Sequence, residues 1–206
     1  IACLFLLRIS LPLPFAWDRQ RPMRVRYGMV HGRFQPFHKG HLHYTLAAFK
    51  RSENLIVGIT NPDPSVICEE GADADRHRPE ANPFTFFERQ WMIHAALAEA
   101  CLDLKRVSIV PFPIHHPDRW IHYCPKETLQ FIRVFSEWEN EKVSRFHQAG
   151  WPVEVLDAGT TKKASGSHVR GCLAQGAGWE DLVPPGVASV LLEIDASERL
   201  KRLTID

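Results

Sequence analysis

The sequence has almost no net charge: 25 Lys and Arg against 24 Asp and Glu leave a formal +1 over 206 residues. No global field therefore recruits nucleic acid or an acidic membrane, and any anion site must come from local clustering. C-x-x-C pairs are also missing. The five cysteines (Cys3, Cys68, Cys101, Cys124 and Cys172) are odd in number and scattered, which argues against a disulfide framework or a cysteine zinc site and suits a reducing cytoplasm. No apolar run is long enough to span a bilayer. The Leu-rich stretch 1–7 is interrupted by Arg8 and followed by Pro12 and Pro14, and it lacks the basic flank and small-residue cleavage site of a secretory signal. The first methionine is Met23. Residues 1–22 are expected to be an extension outside the fold, and 23–206 a single domain. Repeats and low-complexity segments are absent as well.

Apolar segments of ordinary length alternate with helical patterns. The run 25–30 reads as a buried strand, 41–51 as a helix, and 54–60, with Leu-Ile-Val-Gly-Ile, as a second buried strand. Continuous apolar strands separated by a helix indicate a parallel sheet covered on both faces. The stretch 61–83, rich in Pro, Asp, Glu and Arg, reads as a long functional loop. Thr85-Phe86-Phe87-Glu88 matches a capping box opening a helix to about residue 102. Further strands are expected at 106–111, 128–135 and 153–156. A helix at 139–149 is closed by Gly150, and short helical pieces follow at 171–175, 179–182 and 185–192. The fold class is α/β: a doubly wound, Rossmann-like parallel sheet of about five strands with a short C-terminal helical segment.

The stretch Gly32-Arg33-Phe34-Gln35-Pro36-Phe37-His38-Lys39-Gly40-His41 lies between the first strand and the first helix. A strand, a turn with Gly and Pro, and a helix amino end make a ready anion site, because unpaired N–H groups and the helix dipole point the same way. Gly40 lets a phosphate approach the backbone, and His38 and His41 are placed to donate hydrogen bonds to charge growing on phosphoryl oxygens. Read instead as a metal pair, His38 and His41 lack a carboxylate or third histidine at matching helical spacing, so no protein metal site is expected.

This stretch resembles the signature of the HxGH nucleotidyltransferase superfamily, and is most like the archaeal-type nicotinamide-nucleotide adenylyltransferases. Asn82-Pro83-Phe84-Thr85 with Glu88-Arg89, Ser165-Gly166-Ser167-His168-Val169-Arg170, and Trp179-Glu180-Asp181-Leu182-Val183-Pro184 resemble three further motifs of that family in the same order. The resemblance implies nucleotidyl transfer without a covalent enzyme intermediate. An acceptor phosphate attacks the α-phosphorus of ATP in line and pyrophosphate leaves, with catalysis mostly by positioning and electrostatics. It implies catalytic roles for His38, His41 and Arg170. It implies ATP contacts from Gly32, Arg33, Phe34, Lys39, Gly40, Ser165, Gly166 and Ser167, and Mg²⁺ carried by the ATP phosphates.

Asn61, Arg89, Trp120 and Trp138 are the implied acceptor residues, with Trp120 stacking on a nicotinamide ring. The partners implied are ATP and nicotinamide or nicotinate mononucleotide, in a homo-oligomeric ring, without nucleic acid or membrane. The same chemistry on another phosphorylated acceptor, with CTP as donor, is the alternative; a non-catalytic nucleotide sensor is a third reading. The chain departs from the family pattern on the acceptor side. Pro117 stands where an Asn is usual, Ser136-Glu137-Trp138 replaces Ser-Gly-Asn, and Gly58-Ile59-Thr60-Asn61-Pro62-Asp63 replaces a Gly-Ser-Ala-Gln turn.

Overall fold

The apolar run after Met23 forms β1 (Val25–Gly32), whose residues from Gly28 to His31 are all buried. Burial on both sides of a strand requires neighbours in the sheet and layers above and below it. A computed structural model supplies both, and describes residues 23–66, 78–135, 137–157 and 165–205. The expected extension 1–22 lies outside the described residues.

Five parallel strands form one sheet in the order β3-β2-β1-β4-β5, with β2 at Ser52–Thr60, β3 at Val107–Phe112, β4 at Leu129–Arg133 and β5 at Val153–Leu156. The helix α1 (Lys39–Arg51) connects β1 to β2, α2 (Phe86–Glu99) connects β2 to β3, and α3 (Glu137–Gln148) connects β4 to β5. The strand order reverses direction between β1 and β4, which is where ligands sit in open sheets of this kind. The pairing of β1 with β4 covers only Gly28 with Leu129 and Met29 with Gln130.

Alternation along the strands separates two cores. Val30, Leu55, Val57, Ile59 and Phe131 pack with α1, α2 and the C-terminal helices α4 (Gly166–Gln175), α5 (Pro185–Glu193) and α6 (Ala196–Ile205). Met29, Ile56, Phe112 and Ile132 face the other way and pack with Trp120, Trp151 and Phe146 of α3. No helix of the described residues is long and apolar enough to cross a membrane.

The expected elements are all found, with edges moved for local reasons. The helix α1 begins at Lys39 rather than residue 41 because His38 caps it. Ser52 ends that helix and opens β2 without a loop. Gly150 takes φ 69 after α3, the left-handed geometry expected of a residue closing a helix. The long loop contains short 3-10 turns at Pro64–Val66 and Pro79–Ala81, and its middle, 67–77, lies outside the described residues. The helix α6 goes beyond the sequence reading, which stopped at residue 192.

An ion pair attaches α6 to the rest of the domain. Arg199 donates to both carboxylate oxygens of Glu88 at 2.8 and 2.7 Å and to the Pro83 carbonyl at 3.1 Å. Glu88 also accepts from the Thr85 N–H at 2.8 Å while Thr85 Oγ1 accepts from the Glu88 N–H, completing the capping box of α2. Burial alone would raise the Glu88 carboxyl. The Arg199 fork and the Thr85 hydrogen bonds outweigh it and hold the carboxyl below the usual range. A depressed folded pKa stabilises above the unfolded carboxylate pKa, and that stability is lost as pH falls through the folded value. Glu88→Gln should therefore flatten the acid limb of a stability-versus-pH profile measured by urea unfolding. At neutral pH it should cost about 1 kcal/mol, since the fork is part-exposed.

Candidate active site

The turn leaving β1 is built around reciprocal hydrogen bonds between two histidines. The Nδ1 of His38 accepts from the His41 N–H, and the Nδ1 of His41 accepts from the His38 N–H, both at 3.3 Å. His38 is the N-cap of α1 and His41 its third residue, so imidazoles take the places usually held by Ser/Thr and Glu. Because each Nδ1 is an acceptor, the proton of a neutral ring lies on Nε2 in both residues. The rings stack with centroids 3.6 Å apart, and Phe34 and Phe37 pack against His41 at 4.9 and 5.7 Å. Two Nε2–H donors of fixed tautomer are thus held at a helix amino end, suited to an oxyanion.

Three sequence motifs meet on this turn. Gln35 is buried; its amide nitrogen donates to the Phe84 carbonyl at 2.9 Å, and the Phe84 N–H donates to its amide oxygen at 3.0 Å. Arg170 of α4 donates to the Gln35 carbonyl at 2.7 Å from 135 residues away. At Gly166 a Cβ would lie 2.8 Å from the Gln35 carbonyl oxygen and 3.2 Å from Arg170 Nη1. Only a glycine lets the amino end of α4 come this close. Ser165 caps that end by accepting the His168 N–H at 3.2 Å, and its hydroxyl lies 3.0 Å from that of Ser167.

Arg89 holds the assembly from beneath. Its guanidinium is entirely buried and donates to the carbonyls of Arg33, Thr60 and Asn61 at 2.9 Å, Thr85 at 3.1 Å and Pro62 at 3.3 Å. Burial, and then the nearby Arg33 charge, pull its pKa down to about 10, so it stays cationic at neutral pH. This corrects the acceptor role expected of Arg89. Its donors are consumed by main-chain carbonyls, and it positions the loops after β1 and β2.

Trp120 needs the same correction. It is fully buried, its Nε1–H donates to the Pro113 carbonyl at 2.9 Å, and its ring packs on Phe146 at 4.2 Å and Phe112 at 5.8 Å. The ring is committed to this aromatic cluster and to the Pro113 carbonyl rather than exposed for stacking on a nicotinamide. Phe34 likewise serves the core: its side chain is buried, and its backbone at φ 54 turns the loop. Asn61, also at positive φ (49), is half-buried at the end of β2. Trp138 lies on α3, and its side chain is outside the described residues, as are Lys162 and Lys163. Arg33, Gly32 and Gly40 are half-buried and Lys39 is exposed around the turn.

Sequence reasoning missed Gln35, whose role emerges only through Phe84 and Arg170, and two residues of the β1–β4 crevice. His31 is buried with neither ring nitrogen hydrogen-bonded among the described residues. Arg133, at the end of β4, has a buried Nε without a hydrogen-bond partner among the described residues and lies over the Tyr44 ring at 5.7 Å. A histidine inside an apolar strand was the available signal for the first. Among the described residues no three His, Cys, Asp or Glu side chains gather to hold a metal ion.

Arg89→Leu should lower stability by about 3–5 kcal/mol, because several carbonyls would lose their donor inside the protein. Arg89→Lys should recover only a minor part, since one ammonium cannot reach both loops. Urea unfolding of the two variants checks both statements.

The cytidylyltransferase-like family model matches residues 29–171. The chain is 47% identical to the phosphonoformate cytidylyltransferase of Streptomyces viridochromogenes over 84% of its own length and 95% of that protein. It is 34% identical to the nicotinamide-nucleotide adenylyltransferase of Saccharolobus solfataricus over 85% and 95%. Among solved structures, the bifunctional NMN adenylyltransferase/ADP ribose pyrophosphatase of Francisella tularensis, complexed with AMP and a Mn ion, superposes with a TM-score of 0.62 at 22% identity. That match covers 86% of this chain, which spans about half of the bifunctional protein's length (52%) and shares its fold. The meeting of the three motifs on one turn and these likenesses together make the chain a nucleotidyltransferase and a member of the cytidylyltransferase-like family, within the HxGH superfamily.

Proposed function

We propose that the enzyme transfers a cytidylyl group from CTP to an oxygen of a small phosphonate or phosphate acid, with release of pyrophosphate. The observation that carries this reading over adenylyl transfer to a mononucleotide is the burial of Trp120. The aromatic ring that would stack on nicotinamide is fully buried and packed against Phe112 and Phe146, so the acceptor side favours a molecule without a large ring. The 47% likeness to a protein named for phosphonoformate and cytidylyl transfer supports the same choice.

In the proposed reaction an acceptor oxygen, already deprotonated at neutral pH, forms a bond to the α-phosphorus. The bond from that phosphorus to the bridging oxygen breaks, and pyrophosphate leaves with the electron pair. No general base is needed, so the burden falls on positioning and charge. His38 and His41 donate through Nε2–H to the phosphate oxygens and stabilise the transition state. Arg33, Lys39 and Arg170 neutralise the triphosphate, with Arg170 aimed by its bond to the Gln35 carbonyl. Ser165, Gly166 and Ser167 offer the amino end of α4, and Gly32 and Gly40 let phosphates approach the main chain. Asn61 borders the acceptor. With no cluster of three metal-ligating side chains among the described residues, Mg²⁺ would be held by the triphosphate oxygens and would supply positive charge there.

Adenylyl transfer from ATP to nicotinamide mononucleotide remains the second reading, on the strength of the 34% relative and the shared motifs. Pyrophosphate release with Mg²⁺ and each pairing of CTP or ATP with phosphonoformate or nicotinamide mononucleotide separates the two. CTP with phosphonoformate should exceed the other pairings by about tenfold or more in kcat/KM. A faster reaction of ATP with the mononucleotide would overturn the first reading, and no release with any pair would leave a nucleotide sensor. His41→Ala should lower kcat by about 10²-fold or more while nucleotide binding, followed by calorimetry, survives.

A further inference from the structure

His31 is the penultimate residue of β1, directly before Gly32 and opposite Gly58 of β2. Its ring packs against Phe112 of β3 at 5.7 Å and Phe146 of α3 at 5.2 Å, the three rings forming a triangle. Only 4% of the residue is exposed, and Nδ1 and Nε2 both lack a hydrogen bond among the described residues. Buried polar atoms are nearly always paired, because water is lost without compensation otherwise. A phenylalanine would pack against the same two rings with nothing to desolvate. An imidazole here is therefore a poor choice for packing and a good one for polar contact with a ligand. Burial, and secondarily the charge of Lys142 on α3, keep the ring neutral, with one donor and one acceptor nitrogen.

The position selects the ligand. The turn 33–40, α1 and α4 belong to the core on one face of the sheet, while His31 points to the opposite face with α3 and the Trp120 cluster. Under the proposed reaction, on which this inference rests, the leaving phosphates lie against α1 and α4. In-line displacement brings the attacking oxygen from the opposite side of the α-phosphorus. On this reading the attacking side is the one on which His31 lies, one residue before the turn and on the strand at which the order reverses.

We infer that His31 is a specificity-determining residue of the acceptor subsite, hydrogen-bonding an oxygen of a small oxoacid acceptor of the phosphonocarboxylate class. The aromatic pair around it limits the acceptor's size, and the imidazole orients it for attack.

The test separates binding from turnover. Phosphonoformate is titrated by calorimetry into wild type and His31→Phe, each saturated with a non-hydrolysable CTP analogue, and the ¹⁵N ring signals of His31 are followed in wild type. His31→Phe should weaken phosphonoformate binding by about tenfold or more and leave the affinity for the CTP analogue and the thermal midpoint unchanged or higher. The His31 ring nitrogens should shift on acceptor addition. Equal phosphonoformate affinity in the variant, unmoved ring signals, or no binding to wild type would each overturn the inference. If the variant does not fold, the ring signals of wild type decide alone. Binding that shifts His31 without any pyrophosphate release would uphold the subsite and refute the proposed reaction.

Discussion

The guanidinium of Arg89 is the contact on which the site's geometry depends. It is a buried cation without a carboxylate partner in its hydrogen-bond set, held by carbonyls from the ends of β1 and β2 and from the cap of its own helix. An unpaired buried charge would be very costly, and five carbonyl dipoles replace the water it gave up. Main-chain carbonyls are fixed by the fold, so the arrangement is rigid in a way that two flexible side chains would not be. Each loop carbonyl is in turn held at one distance from α2. The turn carrying His38 and His41 therefore stands on an anchored base, and the two histidines complete it by capping one another.

In the proposed reaction the two faces of the sheet serve different substrates, and their packing differs accordingly. On one face α1, α2 and the C-terminal helices share a large aliphatic core that includes Phe34 and Phe37 beneath the turn. On the other face lies a smaller aromatic cluster of Phe112, Trp120, Phe146 and Trp151, with His31 against Phe112 and Phe146. Main-chain groups and helix ends, gathered on the face of the turn, suit phosphate whatever the acceptor is. On the proposed reading the aromatic face would shape the acceptor site, where a change of rotamer in one large side chain redraws the volume.

Much of the nucleotide half was legible because its signals are local. A strand period followed by Gly, Pro and a helix amino end is written in adjacent residues. The capping box of α2 and the left-handed Gly150 are likewise short-range, and both are present as read. The start of α1 was misread by two residues because a histidine cap is unusual. The role of Arg89 was misread for a different reason. A Glu-Arg pair on a helix does not tell whether the Arg faces a ligand or the interior, and only the convergence of the Arg33, Thr60, Asn61 and Pro62 carbonyls on it shows that it is internal. Trp120 follows the same pattern: nothing in the Pro-rich segment around it tells whether its ring covers a ligand or packs against Phe146.

The sequence by itself determined the α/β order of elements, the turn with its two histidines between β1 and α1, and the family to which the chain belongs. Each depends on spacings of a few residues, which backbone geometry converts directly into structure. Tertiary structure alone decided which side chains those elements consume. Gln35 reaches Phe84 and Arg170 across 49 and 135 residues, Arg89 is spent on carbonyls, Trp120 is spent on the core, and His31 is buried with its nitrogens unbonded among the described residues. Burial and pairing are properties of neighbours brought together from distant parts of the chain, so no local pattern carries them.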